Sequence, residues 1–89
     1  MASIKDFKKE INYIFGEVID EALYKKVTKP EVDDKKIEEI IDEAVQAYED
    51  FKEKINQGRK AENKKEYYKL LHKEYEESVN ALLDKIKAL

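Results

Sequence analysis

His72 is the only histidine, and with no cysteine in the chain it is the side chain best suited to act as a base near neutral pH or as a nitrogen ligand. At about 100° per residue it falls beside the apolar stripe of its segment, near Tyr68, Tyr75, Glu76 and Val79. A metal site would need more. There is no second histidine, and the Glu-x-x-His spacing of di-iron bundles is missing because positions 68 and 69 are Tyr and Lys. The simplest expectation is a histidine at the edge of a core, bonded to Glu76 one turn on. Carboxylates recur four apart at Glu38 and Asp42 and again at Glu39 and Glu43, so each pair shares a helix face. They lack the alternating ligands and central glycine of a calcium loop, and acids near a helix N-terminus are explained by its dipole. No cofactor and no metal is expected.

Two helical enzyme classes set a sharper comparison. Histidine phosphotransfer domains are bundles with one solvent-facing histidine, but the stretch LLHKEYEE lacks the lysine and glycine that normally follow it. All-helical chorismate mutases are chains of similar length that hold a dicarboxylate with several arginines. Here seventeen of eighteen basic residues are lysine, and the sole arginine, Arg59, lies in an expected loop. Lysine supplies a point charge rather than a planar fork, so that chemistry is excluded. With no nucleophile or acid/base pair supported by its neighbours, an enzyme is not expected.

The elements that must position any site are legible. Charged residues are 44% of the chain against only two glycines and one proline, the profile of a Glu/Lys-rich helical protein rather than a sheet. Ser3 and Asp6 have capping spacing, and Ile4, Phe7, Ile11, Ile14 and Val18 follow at steps of three and four. Lys25 and Lys26 suit a helix C-terminus and Pro30 disfavours helix at Lys29, which predicts a first helix over 4–26. Asp33 and Asp34 open a second, whose stripe Ile37, Ile41, Ala44, Tyr48, Phe51 and Ile55 runs to a stop at Gly58, so it spans 34–57. Asn63 and Glu66 cap a third over 64–88, with the stripe Tyr68, Leu71, Tyr75, Val79, Leu82, Ile86 and Leu89.

Three helices of similar length joined by short connections predict an all-α, up-down-up antiparallel three-helix bundle formed by residues 1–89 as a single domain. That topology gathers the start of helix 1, the end of helix 2 and the start of helix 3 at one end. There Lys5, Lys8, Lys9, Lys52, Lys54, Arg59, Lys60, Lys64, Lys65 and Lys69 face only six acids, a balance of +4 that leaves −7 for the remainder. A polyanion could dock on this end, in particular at Lys5, Lys8, Lys9, Arg59, Lys60, Lys64 and Lys65. Nucleic acid is the less favoured partner, because the overall charge is −3 and arginine is scarce.

On a helical wheel, Ile11, Ile14, Val18 and Ala22 point inward with Phe15, Ile19 and Leu23 beside them. This wide arc is compatible with a monomer or with a dimeric bundle. Tyr13, Glu17, Asp20 and Tyr24 form a second, outward stripe bordered by Gly16, and on helix 3 Tyr67 and Leu70 also point away from the core. Tyrosine buries area at low entropy cost and glycine permits close approach, so Tyr13, Gly16, Asp20, Tyr24, Tyr67 and Leu70 are the expected partner surface.

The segments IKDFKKEINYIFGEVIDEALY and KKIEEIIDEAVQAYEDFKEKIN resemble those of a group of short, uncharacterised bacterial proteins of similar length. The likeness covers most of the chain, rests on helical pattern, and implies a natural all-helical bacterial protein without carrying over any functional residue. The N-terminal MASIKDFKKE lacks an apolar leader and no segment approaches the ~20 apolar residues that span a bilayer, so a cytoplasmic setting without membrane contact is expected. The expected function is a small non-enzymatic interaction module that binds a protein partner or a second copy of itself.

Overall fold

The computed structural model describes residues 4–89, which form three α-helices: α1 (Ile4–Thr28), α2 (Asp34–Gln57) and α3 (Lys64–Lys87). A single 3-10 turn, Gly58–Lys60, lies between α2 and α3, and among the described residues there is no strand. Each helix packs on the other two in an elongated bundle of 50 × 17 × 16 Å.

The helix ends follow from local chemistry. Asp33 is extended and accepts the Lys35 amide at 3.0 Å, satisfying one of the orphan donors of α2. Asn63 accepts the Glu66 amide at 3.1 Å at the start of α3. The expected Ser3 cap of α1 lies outside the described residues. At its other end α1 runs to Thr28, two residues beyond the expected 26: the Thr28 hydroxyl donates to the Tyr24 carbonyl at 2.9 Å and the Lys29 amide to the Lys25 carbonyl at 2.9 Å, until Pro30 removes the next donor.

The core is a three-way seam of Phe7, Ile11, Phe15, Val18 and Ala22 from α1, Ile37, Ile40, Ala44, Phe51 and Ile55 from α2, and Leu71, Tyr75, Val79, Leu82 and Ile86 from α3. Three expected assignments change. Phe15, expected at the flank, is fully buried, while Ile14 is only half-buried; the longer ring reaches Tyr48, Phe51 and Tyr75 at centroid distances of 6.0, 6.3 and 6.0 Å. On α2 it is Ile40 that is buried and Ile41 that is half-buried, because a helix packed against two neighbours buries an arc wider than one stripe. Leu23, expected beside the core, is instead 45% exposed.

The two glycines have opposite roles. Gly58 ends α2, but with φ −61° and ψ −18° rather than a left-handed backbone. What requires glycine is space: a Cβ there would lie 2.6 Å from the Tyr67 ring and 2.7 Å from the Tyr68 ring. These rings pack edge to face at 5.5 Å, and their hydroxyls donate to the Lys54 and Ile55 carbonyls at 2.8 and 2.7 Å, closing the exposed end of α2 with side chains from α3. Around a Cβ at Gly16 there is nothing within 4 Å. Gly58→Ala is expected to lower unfolding stability by about 1–3 kcal/mol through overpacking, and Gly16→Ala to raise it by about 0.5–1 kcal/mol. Paired chemical denaturation curves check both signs.

Candidate functional site

The expected partner surface divides in the structure. Tyr13 and Tyr24 stand 67% and 64% exposed on α1, with exposed Gly16 and Asp20 between them. Leu23 and Val27 join them, so four of the six large hydrophobic side chains exposed among the described residues lie within 15 positions of one helix. The other two, Val45 and Leu70, are on α2 and α3. Tyr67 is half-buried and hydrogen-bonded in the closure of α2, which leaves Leu70 as the exposed apolar member of the α3 pair. Sequence reading missed Val27: it lies beyond the expected end of α1 and became part of the face only because the helix continues to Thr28.

The bases expected at one end do come together there. Arg59 and Lys60 sit on the turn after α2, Lys64 and Lys65 open α3, and Lys5, Lys8 and Lys9 lie in the first turns of α1. Of the ten, Lys54 alone has an ion pair among the described residues, with Glu74 at 3.7 Å, while Lys52 lies over the Tyr48 ring at 5.2 Å. The rest are exposed except Lys8, which is half-buried.

His72 is held from both sides. Its Nδ1 lies 2.8 Å from Glu76, the neighbour expected one turn on, and its Nε2 lies 3.0 Å from Glu10 on α1, a partner that sequence spacing could not supply. The ring packs against Phe7 and Tyr75 at 5.3 and 5.5 Å. Only the imidazolium form can donate to both carboxylates, and in that form His72 cross-links α1 and α3. The His72, Glu10 and Glu76 side chains are 42%, 47% and 61% exposed, so the cluster is a clasp on the bundle wall. Among the described residues no three such groups converge to hold a metal ion. Of the acidic pairs, Glu43 instead binds Lys85 on α3 at 2.6 Å. That ion pair borders a shallow cleft of about 220 Å³ lined by Ala47, Ser78, Ala81 and Leu82. Among the described residues no helix is long and apolar enough to cross a membrane.

Beneath the clasp, burial pushes the Tyr75 hydroxyl well above its ordinary pKa of 10.0, and the charge of Glu10 and a hydrogen bond to its carboxylate push in the same direction. A folded-state pKa raised in this way gives stability that is complete below pH ~10 and is lost as pH rises past it, because the unfolded phenol ionises first. Alkaline denaturation followed between about pH 9 and 12 should show this loss, and Tyr75→Phe should flatten the slope while costing about 1 kcal/mol at neutral pH for the missing hydrogen bond. No family model matches the chain, and neither a curated protein nor a solved structure does, so its own geometry must carry the functional reading.

Proposed function

We propose that this protein is a non-enzymatic helical interaction module that binds a protein partner through the outer face of α1. The carrying observation is the concentration of exposed Tyr13, Leu23, Tyr24 and Val27 around a glycine that touches nothing. A helical glycine costs about 1 kcal/mol relative to alanine. Gly58 offsets that cost by admitting two tyrosine rings, whereas Gly16 has no such contact within the fold. A bare backbone between two tyrosines is what close approach by another surface would use. The setting we assign is the bacterial cytoplasm, on the strength of the resemblance carried by residues 4–24 and 35–56. Tyr13→Ala with Tyr24→Ala should weaken partner binding at least tenfold, while unfolding stability changes by no more than about 0.5 kcal/mol because neither ring is packed. Affinity capture followed by calorimetry on the captured partner checks this; unchanged binding by the double variant would refute the reading.

A second reading, polyanion binding, is favoured by the gathering of Lys5, Lys8, Lys9, Arg59, Lys60, Lys64 and Lys65 at one end of the bundle. Its signature is affinity for DNA or RNA that falls steeply with salt. Titration in low salt with no measurable binding would exclude it.

A further inference from the structure

We infer that a second copy of this chain is the occupant of the outer α1 face, docked antiparallel so that Tyr13 of each copy packs over Gly16 of the other and Lys9 of each pairs with Asp20 of the other. This rests on the reading of that face as a contact surface and adds the identity and register of the partner.

Lys9, Tyr13, Gly16, Asp20, Leu23 and Val27 follow one another at steps of four and three, and all six are exposed. That spacing makes a continuous seam of the coiled-coil kind along the helix side opposite Phe7, Ile11, Phe15, Val18 and Ala22. In an antiparallel pair the two alternating seam positions face each other across the axis. Pairing residues whose numbers sum to 29 meets this condition for the central four, setting Tyr13 against the partner's Gly16 and Lys9 against the partner's Asp20, while Leu23 lies opposite the partner's Asp6. The ring then enters space in which a Cβ would meet nothing in the monomer. Both charged residues are available, since neither enters an ion pair among the described residues.

Charge decides against the other arrangements. A parallel pair would set Asp20 on Asp20 and lay the two lysine-rich ends side by side. An antiparallel pair lays the +4 end of each copy along the −7 remainder of the other. An antiparallel register seven positions along opposes Lys9 with Val27 and leaves Asp20 against Gly16 without a cation. A seam one helix face wide, about 37 Å by about 10 Å, covers roughly 400 Å² per copy. This is half the ~800 Å² per partner of a standard interface, so the dimer is of the weak, concentration-dependent kind.

Sedimentation equilibrium from micromolar to about millimolar protein in low salt reads the proposal. The wild-type mass should rise from 10.5 kDa towards twice that value. Lys9→Glu and Asp20→Lys should each weaken the dimer at least tenfold, and the two together should restore it. Gly16→Leu should raise monomer stability, because its side chain meets nothing in the monomer, and at the same time weaken dimerisation at least tenfold. A wild-type mass of 10.5 kDa throughout would overturn the self-pairing. So would a dimer indifferent to either single charge reversal, or one strengthened by Gly16→Leu. If the chain stays monomeric while the Tyr13/Tyr24 double variant loses a foreign partner, this inference fails and the reading of the face stands; a dimer unmoved by that double variant and by the charge reversals removes both.

Discussion

The bundle depends on one ring. Phe15 stands where all three helices meet, within 6.3 Å of Tyr48 and Phe51 on α2 and 6.0 Å from Tyr75 on α3, and Tyr75 in turn meets Phe51 and Phe7. Aromatic contacts of this kind add about 0.5–1.5 kcal/mol each beyond area burial, and their shape fixes how the helices rotate about their axes. Once Phe15 is seated, Ile11, Val18 and Ala22 must face inward, and Tyr13, Gly16 and Asp20 must face water. Tyr48 extends the same constraint to the polar side by donating its hydroxyl to Asn12 of α1.

Around that centre the exposed polar contacts act as clasps between the helices. Glu10, His72 and Glu76 tie α1 to α3, Glu43 and Lys85 tie α2 to α3, and the hydroxyls of Tyr67 and Tyr68 close the end of α2. Solvent-exposed ion pairs contribute about 0–1 kcal/mol each, so they set alignment more than they supply stability. The outer face of α1 carries four of the six exposed large hydrophobic side chains among the described residues, and it is this concentration that motivates an association function.

Helix periodicity and capping chemistry made most of the fold legible in the sequence. Asp33 and Asn63 cap as their types and spacing imply, and every expected α3 stripe position from Leu71 to Ile86 is buried. The departures come from what a one-dimensional pattern omits. Rotation of α1 about its axis chose Phe15 over Ile14, and a two-sided contact buried Ile40 on α2. Tyr67 looked surplus on the helical wheel because its role lies across the turn, with the Lys54 carbonyl thirteen residues earlier. Glu10 could not be paired with His72 from spacing, since 62 residues separate them. The outward stripe of Tyr13, Gly16, Asp20 and Tyr24 was legible because exposure on a helix follows directly from its period, whereas Val27 was hidden by uncertainty about where α1 stops.

The central claim is that the outer face of α1 is a contact surface with no folding duty. Backbone amide spectra of the isotopically labelled chain, recorded over rising protein concentration, test it most directly. The account predicts concentration-dependent shifts that map to Lys9, Tyr13, Gly16 and Asp20 while Leu71, Tyr75 and the groove residues Ala47 and Ala81 stay fixed. Shifts that concentrate on the α2 and α3 faces would contradict it, and spectra that do not change with concentration would remove a second copy as the occupant of that face.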